Sequence, residues 1–247
     1  MAIIASELVA YQAVNHAQDD TSTQGGAVVT TGLVEFTDIA ANDDLEVLSS
    51  NAGDTMNMTI FGRSAAGALV SETKALTGTT AAIFATLGVI ERVMKITLAS
   101  AAAGTVTVRR SVAGATVIAL APGKLSTRRF FYDAASQVGS TTRYEKFFFK
   151  NENASLSLTT AAIKLTADPA TTIRVGCAPA VDDTATATNR VTAPASVTFV
   201  DDNVSQSVPG GTLAAASVIG VWAEMVRGAA AAAIKNTFTV ELSGNTV

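Results

Sequence analysis

His16 and Cys177 are each the sole residue of their kind in the chain, so any imidazole base or thiol nucleophile must be one of these two. A Ser-His-Asp or Cys-His apparatus needs its histidine held rigidly against the nucleophile. His16 stands between Asn15 and Ala17 in a polar segment that reads as flexible, and a solvent-exposed or interface histidine is expected there. Cys177, in "TIRVGCA", alternates with Ile173 and Val175 and reads as a small core residue rather than a reactive thiol. A single cysteine also excludes an intrachain disulfide and a zinc site built from thiolates.

Carboxylates are the other candidates. They occur as the pairs Asp19–Asp20, Asp43–Asp44, Asp182–Asp183 and Asp201–Asp202. Two carboxylates can serve as a glycosidase acid and base, or can hold calcium together with backbone carbonyls, and "VDDTATATN" and "VDDNVS" are the stretches where calcium would sit. Each pair lies beside Asn, Thr or Ser in an expected loop, where Asp bonds its own backbone, so the structural reading is preferred. No HExxH, GxxxxGK[ST] or GxGxxG occurs, and neither a catalytic residue nor a cofactor or metal site is expected. Trp222, in "VIGVWAEM", reads as core packing rather than a sugar-stacking platform. The N-x-[ST] triplets at Asn57, Asn153 and Asn203 matter only in a eukaryotic secretory pathway, which nothing else indicates.

The elements that would position these residues are strands. In "TMNMTIF", Met56, Met58 and Ile60 fall on one face and Asn57 and Thr59 on the other; in "GTVTVRR", Val106 and Val108 alternate with Thr105 and Thr107. "NTFTVELSG" repeats the device with Phe238, Val240 and Leu242. Turn signals at 51–54, 65–68, 77–80, 102–105 and 122–124 leave no room for the crossover helices of a parallel sheet. The alanine run at 228–235 fits either two helical turns or a connector.

The aromatic and polar stretch after "VIALAPGK" interrupts this rhythm and reads as the passage between two domains. The expected fold is all-β: an extended N-terminal arm over 1–26, a first β-sandwich domain over 27–122, and a linker with a second over 123–247, each Ig-like or jelly-roll-like. In the arm, Ile3, Ile4, Leu8, Val9 and Tyr11 are too few for a core, and they are expected to dock on a partner subunit.

Hydrophobic residues make up 48% of the 247 positions and charged ones only 15%, which excludes a disordered chain. A net charge of −4 gives no long-range pull on phosphate backbones, and the one basic pair, Arg128 and Arg129, is too short to reverse this. Nucleic acid, membrane and small-molecule substrates are therefore not expected as partners, and the chain is expected to be soluble without a Sec leader.

The stretches "FTDIAANDDLEVLSSNAGDTMNMTIFGRSAAGALVSETKALTGTT", "IERVMKITLASAAAGTVTVRR", "YEKFFFKNENASLSLTTAAIKLTADP" and "FVDDNVSQSVPGGTLAAASVIGVWAEM" resemble tailed-bacteriophage virion structural proteins of head and tail gene modules. The likeness runs from about residue 5 to the end, and its motifs are structural rather than catalytic. It implies a non-enzymatic virion component assembled in the host cytoplasm. The first expectation is a capsid cement or decoration protein, a homotrimer bound to the major capsid protein. A tail, connector or baseplate component and a host- or carbohydrate-binding module are the alternatives.

Overall fold

The computed structural model describes residues 2–132, 140–168, 172–229 and 237–246. Within them the chain is built from strands, with helical geometry confined to the three-residue 3-10 turns Ala5–Glu7 and Pro209–Gly211. The expectation of an all-β chain holds. The alanine run at 228–235 lies largely outside the described residues.

The chain forms two compact units: unit 1 comprises Met1–Val29 and Ser136–Val247, and unit 2 comprises Thr30–Ala135. Strands β1 (Leu8–His16) and β2 (Gln24–Leu33) open the chain, and β2 begins in unit 1 and ends in unit 2. Unit 2 continues with β3 (Leu45–Ser49), β4 (Asn57–Ser64), β5 (Leu69–Ala75), β6 (Ala82–Ile83), β7 (Ile90–Leu98), β8 (Val106–Arg110), β9 (Thr116–Leu120) and β10 (Ser126–Arg128). Unit 1 is completed by β11 (Thr141–Asn151), β12 (Leu158–Ala167), β13 (Ile173–Val181), β14 (Thr186–Ala187), β15 (Ser205–Ser207), β16 (Thr212–Leu213), β17 (Val218–Arg227) and β18 (Thr239–Thr246).

Unit 2 is sandwich-like. One layer orders β10, β7, β4 and β5, with the end of β2 lying parallel to β10, and the other orders β6, β3, β8 and β9. Their facing sides make one core: Leu45, Val47, Val106 and Val108 from one layer meet Met58, Ile60, Val93 and Ile96 from the other. The period-2 pattern read from sequence explains this, since Met58 and Ile60 are buried while Asn57 and Phe61 point away.

In unit 1 the larger sheet orders β13, β17, β11, β1 and β2, with β14 against β2. A second sheet places β12 between β18 on one side and the short β15 and β16 on the other. β17 is buried along nearly its whole length, as a continuous apolar run flanked by β13 and β11 requires, and Trp222 within it is 1% exposed. β18 keeps its alternation, Val240 and Leu242 half-buried and Thr239 and Glu241 exposed.

The principal correction concerns the N-terminus. Residues expected as an arm form β1, in antiparallel register with β11 from Leu8↔Asn151 to Gln12↔Phe147. Local composition suggested an arm because nine residues with a short apolar run cannot sustain a core alone. Here the core is supplied by chain more than a hundred residues away. The division 27–122 and 123–247 changes accordingly, because unit 1 is assembled from both ends of the sequence.

Candidate functional site

The five apolar residues proposed as a partner-binding set are divided by the fold. Tyr11 is 2% exposed inside unit 1, its hydroxyl donating to Glu152 Oε1 at 2.7 Å. Burial, and then that carboxylate, raise the phenol well above its ordinary range. Leu8 and Val9 are half-buried in β1, and Ile3 sits against β18 through a backbone N–H to Thr246 Oγ1 at 3.2 Å. Ile4 alone remains largely open, at 59%. As an isolated docking strip the set does not exist, because a strand in a sheet has already spent its apolar face.

The chain's one histidine lies where its polar groups are most deeply buried. β1 ends at His16, whose side chain is enclosed with its Nε2 3.6 Å from Glu145 Oε2 on β11. Glu145 Oε1 accepts from Arg190 Nη2 at 2.6 Å and from Gln18 Nε2 at 2.9 Å, and Arg190 Nη1 donates to the Gln18 carbonyl at 2.8 Å. Next to this core, Arg143 grips Asp20 with two bonds of 2.7 and 2.9 Å, and that contact first of all holds the Asp20 carboxyl below the usual carboxylate range. The result ties four pieces of chain together: the end of β1, the 17–20 connection, β11 and the segment around Arg190. The expectation of an exposed or flexible His16 is corrected by this burial.

Lys146 faces the other way from Glu145 on β11 and is equally shut off from solvent. Its ammonium donates to Asp183 Oδ2 at 2.9 Å, to the Asp183 carbonyl at 3.0 Å and to the Ala185 carbonyl at 3.2 Å, beneath the rings of Phe148 and Trp222. Burial lowers the lysine, and Asp183 opposes that shift. Asp182, its neighbour, accepts from the Val218 N–H at 2.8 Å. The pair considered for calcium is thus committed to fastening its loop. Sequence reasoning missed Glu145 and Lys146, though a signal was present: two opposite charges inside "RYEKFFFK", an otherwise aromatic strand, are placed for burial on opposite faces.

Other candidates are used in the same manner. Asp54 Oδ2 accepts from Ser49 Oγ at 2.6 Å and from the Gly104 N–H at 2.9 Å, and its Oδ1 accepts from the Ala103 N–H at 2.9 Å. Arg129, one half of the basic pair, is 9% exposed and joined to Asp38 at 2.6 Å beside Arg92. Cys177 is half-buried, and burial pushes its thiol up to about 12. Asp201 and Asp202 are exposed on a turn. Among the described residues no group of three or more His, Cys, Asp or Glu side chains could hold a metal ion, and no helix is long and apolar enough to cross a membrane.

No protein-family model, curated protein or solved structure matches the chain.

Proposed function

We propose that the chain is a non-enzymatic structural protein of a tailed-phage virion, a cement or decoration protein on the capsid surface. In this reading it binds the major capsid protein, associates with copies of itself as a trimer, and clamps neighbouring capsomers. The observation that carries the reading is the use made of reactive side chains. His16, Glu145, Arg190, Lys146 and Asp54, which could have done chemistry, are drawn inside and serve to lash loops and strands to one another. Two compact units built almost wholly of hydrogen-bonded strands suit a part made in many copies and exposed to proteases. The phage-like stretches of sequence add the class of particle. Since β1 belongs to unit 1, the clamp acts through folded surfaces and not through a swinging arm.

Quantitative mass spectrometry of purified particles, with antibody labelling under the electron microscope, tests this. The expected result is a head protein present on the order of hundreds of copies, as icosahedral symmetry multiplies each site. Copies in multiples of about six or twelve, found on tails, would transfer the protein to a ring or baseplate role. Absence from the virion, or turnover of a polysaccharide, peptide or ester that one substitution abolishes, would sink the proposal.

A further inference from the structure

β5 is the last strand of its layer, paired with β4 along one side and, among the described residues, with no strand along the other. It holds an unbroken register with β4 from Arg63↔Leu69 to Asn57↔Ala75, with neither a bulge nor a proline. The bonds just beyond its two ends, from the Ser64 N–H to the Ala68 carbonyl at 2.8 Å and from the Leu76 N–H to the Met56 carbonyl at 3.0 Å, set which backbone groups face outward. Val70, Glu72 and Lys74 bond to β4, so the N–H and C=O groups of Leu69, Ser71, Thr73 and Ala75 point to the open edge, where all of these residues are exposed. Such an edge is a template for a further strand.

Native edges are commonly blunted by charge, and β5 carries one charge of each sign. Glu72 and Lys74 lie on the same face as Val70, which packs against the core. Glu72 Oε2 accepts from the Thr86 and Leu87 N–H groups at 2.8 and 2.7 Å, which fixes the carboxylate in place. Lys74 is half-buried and has neither an ion pair nor a hydrogen bond among the described residues. Directly opposed strand residues of like charge repel, and those of opposite charge attract. A second β5 laid antiparallel about Glu72 sets Glu72 against Glu72, and one laid about Lys74 sets Lys74 against Lys74. About Ser71, both charges meet apolar residues, Val70 and Ala68. About Thr73, Glu72 of each copy meets Lys74 of the other, and Ser71 meets Ala75. An axis between residues is excluded as well, since it sets the outward groups of one edge against groups of the other that are already bonded to β4.

We infer that β5 pairs antiparallel with β5 of a second copy of this chain about a two-fold axis at Thr73, so that the two layers join into one continuous sheet. The contact is isologous and closes at two copies, so it cannot itself build the trimer of the proposed function; where that trimer forms, this pairing links one trimer to the next. The inference goes beyond the proposed function and applies equally to a head or a tail protein.

Sedimentation velocity on the full chain at micromolar concentration, in low and high salt, is the test, with Thr73→Pro as the reference. Proline there removes only an outward N–H, which an edge strand tolerates. The variant should keep a native circular dichroism spectrum and show half the mass of wild type. Lys74→Glu turns both attractive pairs repulsive and should weaken pairing about tenfold, a gap that high salt narrows. In a Cys177→Ala background, Thr73→Cys should form a disulfide-linked dimer under mild oxidation, because directly opposed residues place their Cα atoms within disulfide reach. Ser71→Cys and Ala75→Cys should each fail to cross-link alone and should cross-link when mixed. Equal masses for wild type and a folded Thr73→Pro overturn the inference, as does Ser71→Cys linking to itself, which reports a different register. Should Thr73→Pro not fold, the cysteine variants decide alone, and absence of the Thr73→Cys dimer overturns the inference. The trimer is judged separately: a folded Thr73→Pro with the mass of three chains keeps it, and one with the mass of a single chain removes it, whatever becomes of the strand pairing.

Discussion

Arg190 and Glu145 form an ion pair at 2.6 Å with both side chains wholly excluded from solvent. A buried pair contributes little net stability over apolar replacements, yet removing one partner strands the other charge at a cost of about 3–5 kcal/mol. Arg190→Ala should therefore lower the unfolding free energy of unit 1 by about that amount. Arg190→Met combined with Glu145→Leu should lose less than Arg190→Ala alone. Urea titrations of the three variants decide between this and a pair that merely decorates the core.

Deleting residues 1–24 removes β1 and with it Tyr11 and Ala13, both at 2% exposure. Each large buried side chain contributes about 1.5–3 kcal/mol, and β11 would lose its neighbour over Phe147–Asn151. The truncated chain is expected to lose cooperative unfolding of unit 1 and to aggregate. Retention of a native two-step melt would show that β1 is dispensable.

A fragment covering 30–135 should fold alone with a β-type circular dichroism spectrum, since its core is made entirely from its own strands. The fragment 136–247 should not fold unless residues 1–29 are supplied. Equal behaviour of the two fragments would contradict the division of the chain described above.

Asp54 makes an acid-sensitive tie in unit 2. The Ser49 hydroxyl first, then the Ala103 and Gly104 N–H groups, hold its carboxyl below the ordinary carboxylate value. A depressed folded pKa gives stability that is present above the unfolded value of about 4 and is lost as pH falls through the folded one. Asp54→Asn should thus destabilise at pH 7, and the gap from wild type should shrink progressively below about pH 4. Gly104→Ala should instead destabilise across the whole pH range, because an added Cβ would come within 2.6 Å of the Asn51 nitrogen and a steric clash does not titrate. Denaturant midpoints measured across pH settle both points.

Cys177, with its thiol raised to about 12 by burial, should react with a disulfide reagent at pH 8 far more slowly than an unperturbed thiol. Adding denaturant should bring the rate up to that of a free peptide. Fast labelling of the native chain would mean the thiol is open.

How much of this was legible beforehand depended on range. Met58, Ile60, Val106 and Val108 were assigned to a core from alternation alone, and all four are at 0% exposure, because a strand's inward face repeats every second residue wherever its partners lie. The turns at 51–54 and 102–105 were marked by glycine, and Asp54 now joins them. Pairing between β1 and β11 left no local trace. Nor did the destination of Gly25 and Gly26, which looked like the frayed end of an arm. Both have positive φ within β2, and a Cβ on Gly25 would lie 2.8 Å from the Trp222 ring. Glycine there reflects close approach of β17, a neighbour that enters the chain almost two hundred residues later.

That long-range closure sets an order of events during synthesis. Thr30–Ala135 leaves the ribosome as a complete set of mutually satisfying strands and can collapse as soon as it emerges, whereas Leu8–His16 must wait for Thr141–Asn151. For that interval the first strand has β2 along one edge only, and its other edge, the one that will meet β11, stays an open template for neighbouring nascent chains on the same messenger. Completion of unit 1 is therefore limited by the arrival of the chain's own C-terminal half, and slowing translation after residue 135 should increase misassembly, while slowing it within residues 30–135 should not.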